Sequence, residues 1–239
     1  MTLPFFYIPT YNSDQKTIVL DEDTSRHVVQ VLRMLNGEKL NLTDGKGHLL
    51  TAVISDNHKK HCSVQVEQVV INPAAGRKVV IAISLLKNTN RFEWFLEKAT
   101  ELGVTEIIPL IGARTEKDKF RHDRLQQILV SAMLQSQQTW LPVLQEPLAY
   151  DKLFAQQDVQ QIDHKFIAHC EEEEKFPLVN ELAAAPVGSR LILIGPEGDF
   201  TYDEISLALS AQFRPVTLGD TRLRAETAGV VAASLLCLV

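Results

Sequence analysis

The chain has 239 residues, 45% of them hydrophobic, which excludes a disordered chain and is comfortable for two domains, each with a core of its own. Its cysteines, Cys62, Cys170 and Cys237, are odd in number and show no Cys-x-x-Cys spacing, so neither a disulfide framework nor a zinc site is indicated, and a reducing cytoplasm fits. The net charge of −6 is unevenly spread: residues 1–76 carry 7 basic and 8 acidic side chains, residues 77–124 carry 10 and 7, and residues 125–239 carry 7 and 15, so the total argues against a nucleic-acid partner while the basic middle segment leaves one open, since phosphate binding depends on local fields.

From Met1 to Pro9 there is no basic n-region and there are two prolines, so no signal peptide is expected. Short strands follow, over Phe5–Ile8, Thr17–Leu20, Glu38–Thr43, Leu49–Ser55 and Cys62–Val70, separated by turn chemistry that is clearest at Asp44-Gly45-Lys46-Gly47. One helix, Ser25–Met34, interrupts them, with Val28, Val31 and Leu32 on one face and Gly37 as its stop. Five strands and a helix in this space predict a small, partly closed β-barrel, a form often used for RNA contact. Asn72–Gly76 reads as a linker, which divides the chain into domains at 1–73 and 74–239.

After the linker the periodicity changes. Lys78–Leu85 reads as a buried strand, Arg91–Leu102 as an amphipathic helix closed by Gly103, and Glu106–Leu110 as the next strand, a β-α-β unit. The basic stretch Arg114, Lys117, Lys119, Arg121 and Arg124 leads into a helix carrying Leu125, Ile128, Leu129 and Ala132. Further strands at Lys165–His169 and Arg190–Gly195 complete a mainly parallel α/β sheet. Glu171–Glu174 reads as a solvated acidic loop.

Two loops then interrupt regular structure at corresponding points. Gly195-Pro196-Glu197-Gly198-Asp199-Phe200 follows the apolar run Leu191–Ile194 and precedes Thr201-Tyr202-Asp203-Glu204, a capping-box signature for a helix with Ile205, Ala208 and Leu209 on its apolar face. Val216–Leu218 is a short strand, and Gly219–Thr227 a polar loop that opens the last helix. In open α/β sheets ligands bind outside the carboxyl ends of the strands, and glycines there let backbone groups approach a ligand closely. The apolar run Gly229–Val239 is about half the length of a membrane span, so it is a buried or subunit-contacting helix. Gly-x-Gly-x-x-Gly, P-loop, Gly-x-Ser-x-Gly and His-Glu-x-x-His patterns are absent, and the seven histidines show no ligand spacing, so no metal is expected. What remains is a loop pair with backbone amides, Arg222, Arg224, Glu197 and Glu226, and no nucleophile. That suits a nucleoside-like ligand with a second substrate oriented beside it.

Lys98-Ala-Thr-Glu101-Leu-Gly103-Val, Ile108-Pro109, Gly195-Pro-Glu-Gly198 and Leu218-Gly219…Leu223-Arg224-x-Glu226-Thr227-Ala228 resemble the motifs of the RsmE family, which methylates N3 of a uridine in 16S ribosomal RNA; Val31-Leu32-Arg33-Met34 resembles its N-terminal signature. The resemblance implies a SPOUT-type α/β domain with a C-terminal trefoil knot, a PUA-like β-barrel in front, S-adenosylmethionine as cofactor, a homodimer, and 16S rRNA or the small ribosomal subunit as partner. Carried onto this chain, it implies a cofactor site of His169, Ile194, Gly195, Pro196, Glu197, Gly198, Leu218, Gly219, Leu223, Arg224 and Thr227. Three departures remove positive charge: Thr221, Gln138 and a position near Phe5 stand where the family has arginine, while Arg222 occupies a normally apolar position.

The imide nitrogen of a uridine must lose its proton before it attacks a sulfonium methyl, so a base, or a cation that stabilises the anion, is required. Arg224 is expected in the electrostatic role and Glu197 or Glu226 as proton acceptor, with an ion pair to a loop arginine as the alternative for Glu226. Arg114, Lys117, Lys119, Arg121 and Arg124, with Arg33 from the barrel, are expected to hold RNA phosphates. The alternative function is an RNA-binding module whose methyltransferase site has degenerated.

Overall fold

The computed structural model describes residues 3–116, 119–172 and 174–239. The chain forms two compact units: Met1–Ala74 with Met133–Leu141, and Ala75–Ala132 with Pro142–Val239.

In the first unit β1 (Phe5–Tyr7), β2 (Thr17–Val19), β3 (Lys39–Thr43), β4 (His48–Asp56) and β5 (Ser63–Ile71) form a five-stranded sheet in the order β1-β3-β4-β5-β2. Only β1 and β3 run parallel; the other pairs are antiparallel. Alternation along β3 and β4 turns Leu40, Leu42, Leu50, Ala52 and Ile54 into one core with Val28 and Val64. The predicted helix begins earlier than expected, at α1 (Glu22–Arg26), because Asp21 caps it by accepting from the Thr24 amide at 2.8 Å. It then widens into a π-turn over His27–Val31, where Leu32 N–H reaches back to the His27 carbonyl. That widening rotates the expected apolar face out of phase. Val28 is fully buried, but Val31 is 66% and Leu32 43% exposed. The segment stops at Arg33, which adopts a left-handed φ of 55°, four residues before Gly37.

The segment 133–141 joins this unit through pairing no local pattern reveals: Gly47 N–H donates to the Thr139 carbonyl, Leu141 N–H to the Gly45 carbonyl, and Lys46 bridges to Trp140.

The second unit is a parallel sheet of β6 (Val79–Ser84), β7 (Glu106–Ile111), β8 (Val143–Leu144), β9 (Leu148–Ala149), β10 (His164–Ala168), β11 (Phe176–Pro177), β12 (Arg190–Ile194) and β13 (Arg214–Thr217). The order is β11-β13-β10-β12-β6-β7-β8, with β9 also against β7. The central strands β6 and β12 are buried at every position, as expected of strands covered on both faces. The helices are α2 (Thr89–Leu102), α3 (His122–Gln135), α4 (Tyr150–Leu153), α5 (Gln157–Gln160), α6 (Leu178–Ala184), α7 (Tyr202–Ser210) and α8 (Ala225–Leu238). The capping box at Thr201 and Glu204 forms in full; Ile205 and Ala208 turn inward, whereas Leu209 is 38% exposed. No helix among the described residues is long and apolar enough to cross a membrane.

α2 and α8 pack together on the sheet, and Gly229 sets how closely they approach. A Cβ there would lie 2.7 Å from the ring of Phe95 and 3.1 Å from Ile83, both fully buried. We expect Gly229→Ala to destabilise the chain by about 1–3 kcal/mol through overpacking, read as a lowered Tm, despite the better helix propensity of alanine.

Candidate functional site

The site follows from one feature of strand register. Ala168, the last residue of β10, pairs with Ile194 at the end of β12 on one side and with Val216 near the end of β13 on the other. The two glycine loops therefore flank a third strand end instead of adjoining each other, and three strand ends converge, represented by His169, Cys170 and Lys175 after β10, Gly195–Glu197 and Asp199 after β12, and Leu218–Arg224 after β13. Together they line a crevice of about 620 Å³.

Side chains tie these loops to each other and to their neighbours. Asp199, at a left-handed φ of 62°, accepts from Cys170 N–H at 2.7 Å and from Phe200 N–H at 2.8 Å, which joins the loops after β10 and β12. Lys175 donates to the carbonyls of His169 and Glu171 and closes its own loop. Glu204 caps α7 through Thr201 and accepts from Ala113 N–H at 2.8 Å, which draws in the loop after β7. Arg114 in that loop donates to the carbonyls of Gly198 at 2.7 Å and Phe200 at 3.2 Å. Glu197 accepts from Lys87 N–H at 3.1 Å, fixing the loop after β6 as well. Gly219 adopts a φ of +144°, and its carbonyl accepts from the Thr217 hydroxyl at 2.7 Å. Among the described residues, the backbone groups of Thr221, Arg222 and Leu223 make no hydrogen bond within the protein, so they are open to a ligand.

Of the eleven residues expected to bind a cofactor, all but Gly198 and Thr227 line the crevice. Gly198 lies instead against the Arg114 side chain. Cys170, Lys175, Asp199 and Asp220 line it too. The signal that could have found the first two was the strand end at His169, a third position equivalent to the glycine loops. Thr221 and Arg222 also line the crevice.

The expected catalytic residues separate. Arg224 lies on the crevice wall as the N-cap of α8, with an exposed side chain. Glu197 lies there as well. Glu226 does not: it is 7% exposed in the first turn of α8 and pairs with Arg91 Nε of α2 at 3.5 Å, not with a loop arginine.

The residues expected to touch RNA separate likewise. Arg114 is engaged with the crevice loop. Arg124 pairs with both oxygens of Glu93, at 2.7 and 2.9 Å. Lys119, Arg121 and Arg33 are exposed, and Lys117 lies outside the described residues. Phe5 and Gln138 both belong to the first unit, Thr221 to the second.

Residues 73–237 match the family described as RNA methyltransferase domain, and residues 20–67 match the RNA methyltransferase PUA domain. The chain is 31% identical over 225 residues to ribosomal RNA small subunit methyltransferase E of Synechocystis sp., covering 91% of this chain and 72% of that one. The crystal structure of a probable rRNA-methyltransferase from Porphyromonas gingivalis superposes with a TM-score of 0.86 at 36% identity, covering 97% and 95% of the two chains. That of ribosomal RNA small subunit methyltransferase E from Neisseria gonorrhoeae bound to S-adenosyl methionine superposes at 0.84 with 29% identity, covering 97% and 95%.

Two outcomes follow from the loop contacts. Arg114→Ala frees two carbonyls of the 195–200 loop, and we expect it to weaken S-adenosylmethionine binding about tenfold by calorimetry, as loss of charge-assisted hydrogen bonds would. The Cys170 thiol is pushed above its usual value of 9.0 by burial first and by Asp199 next, against the pull of Arg222 and Lys175. Its alkylation by iodoacetamide at pH 8 should therefore be slower than that of a free thiol and still climb past pH 9.0. Asp199→Asn should speed it.

Proposed function

The chain belongs to the RsmE family of ribosomal RNA small subunit methyltransferases, and from that membership we propose that it methylates N3 of a uridine in 16S rRNA with S-adenosylmethionine as donor. The observation that carries this reading is the convergence of three strand-end loops on one crevice whose wall holds a free arginine and a positioned carboxylate. The methyltransferase domain comprises Ala75–Ala132 with Pro142–Val239 and the PUA-like domain Met1–Ala74 with Met133–Leu141, so 133–141 crosses back over the break read at the linker, and the enzyme works in the cytoplasm.

The crevice suits an adenosine-bearing sulfonium compound on its own terms. Its floor is apolar, at Ile194, Val216, Ala225 and Ala228; the backbone groups of Thr221–Leu223 are unengaged, and the rim mixes Glu197, Asp199 and Asp220 with Arg222 and Arg224. We assign the adenosine to the 195–197 and 218–223 loops, with His169 below. The bound cofactor supplies an electrophilic methyl group on a positively charged sulfur.

This chain's residues supply orientation and charge. Holding both reactants in place removes much of the entropic barrier to such a displacement. Arg224 stabilises the uridine anion through its guanidinium, which has no ion-pair partner among the described residues to draw it away. Glu197, held by the Lys87 amide, takes the N3 proton. Glu226 we assign to support of α8, since it is buried with Arg91 and does not line the crevice. Lys119 and Arg121 hold RNA phosphates. Loss of arginine at Phe5 and Gln138 falls in the first unit and leaves the cofactor-lining residues, all in the second, intact.

A knot is consistent with the strand order, in which β13 lies beyond β10 while α8 returns to pack on β6, β12 and α2. The homodimer is supported by the apolar surface on the last helix, where Val230, Val231 and Leu235 are half-buried and Leu238 is 72% exposed.

Arg224→Ala should lower methyl transfer to small ribosomal subunits by about a hundredfold, the scale of a lost transition-state donor, while S-adenosylmethionine affinity falls far less. Wild-type turnover in this variant would remove Arg224 from the mechanism. Mass spectrometry of the labelled nucleoside decides the position of the methyl group.

A further inference from the structure

A second cavity, of about 430 Å³, opens on the same unit between α2 and the start of α3. The loop after β6 links it to the crevice: Leu85 and Leu86 line the cavity, and the next residue, Lys87, donates its amide to Glu197. The floor is apolar, with Leu86 and Leu125 each 3% and Phe92 2% exposed. The mouth is aromatic and cationic. Phe120 is half-buried there, its ring meeting His122 edge-on at 5.9 Å. Lys119 and Arg121 are exposed at the rim and form no ion pair among the described residues. Arg124 is held by its two bonds to Glu93, whose carboxyl those bonds first, and the nearby Arg121 charge last, hold below the usual carboxylate range.

An apolar slot of this size, lined by an aromatic ring and a guanidinium held in place, fits a flat heterocycle, and two exposed cations at its mouth fit a phosphate on either side of it. A purely apolar ligand would leave those cations unused. A free anion would leave the slot unused. We propose that this cavity holds an unpaired nucleobase of the RNA substrate, a neighbour of the methylated uridine, stacked on Phe120 with its phosphates at Lys119 and Arg121. The proposal rests on the methyltransferase reading for the identity of the RNA, while the cavity's geometry stands apart from the cofactor crevice.

The test uses the full chain and a short single-stranded RNA carrying one 2-aminopurine, whose fluorescence falls on stacking. Wild-type protein should quench it, and 2-aminopurine riboside monophosphate should bind much more weakly. Phe120→Ala should lose the quenching and bind the RNA about tenfold more weakly, the scale of one stacked base, whereas Phe120→Trp should retain both. Neutralising Lys119 and Arg121 together should reduce the salt dependence of binding by roughly one to two units in log–log slope. Calorimetry with S-adenosylmethionine should be unchanged in every variant. Unaltered quenching in Phe120→Ala overturns the proposal, as does equal affinity for the mononucleotide, which would mark a free-nucleotide site. Hydrogen-exchange protection of residues 119–121 that grows with protein concentration in the absence of RNA also overturns it, because a second copy would then fill the cavity. Failure of the wild-type chain to bind S-adenosylmethionine would sink the methyltransferase reading, and the quenching result would still decide the cavity.

Discussion

The pairing of Ala168 with Ile194 on one side and Val216 on the other is the constraint from which the site follows. Parallel strands that end in register must release their loops at one level, and each loop then has to satisfy its own backbone groups in the company of the other two. The chain does this with side chains reaching between loops: Asp199 to Cys170 N–H, Arg114 to the Gly198 carbonyl, Glu197 to Lys87 N–H. Each of these contacts joins residues 29 or more positions apart in the chain, so the crevice loops are held by non-local contacts before any ligand arrives. Preorganisation of this kind is what a methyl transfer without a covalent intermediate demands, because alignment removes much of its entropic barrier.

The helix that carries Arg224 into the crevice is fixed at both ends by charge. At its start Glu226 lies buried in the first turn, where the helix dipole favours a carboxylate and Arg91 lies 3.5 Å away. At its end Arg190, fully buried although it opens an apolar strand, donates to the Leu236 carbonyl at 2.9 Å, and Arg77 donates to the carbonyls of Val239 and Pro186. Burial first and the neighbouring Arg77 second pull the Arg190 pKa down, yet the last-turn carbonyls give its charge partners. Such end contacts are worth roughly 0.3 to 2 kcal/mol apiece. A carboxylate that looked catalytic from its place in a loop motif is thus better explained as the N-terminal half of a helix anchor.

What the sequence made legible was local: the strand lengths, the capping box at Thr201, the stop at Gly103 with its φ of 91°, and the two glycine loops. What it hid was non-local. No period or spacing reveals that β10 lies between β12 and β13, that residues 133–141 belong with the first unit, or that Arg114 turns toward Gly198. The π-turn at His27–Val31 shows the same limit on a smaller scale, since a 3.6-residue period places Val31 and Leu32 inward and one wider turn sends both outward.

The basic segment 114–124 divides by what its members touch. Arg114 is engaged with the 195–200 loop and Arg124 with Glu93, both in short charge-assisted hydrogen bonds that a phosphate would have to displace. Lys119 and Arg121 make no such hydrogen bond among the described residues, and they flank the one phenylalanine of the stretch, Phe120. A run of positive charge that looks uniform in sequence is therefore two structural arginines around a small cationic, aromatic mouth. Positive charge and an aromatic ring are concentrated at the same three residues, next to the loop that holds Glu197.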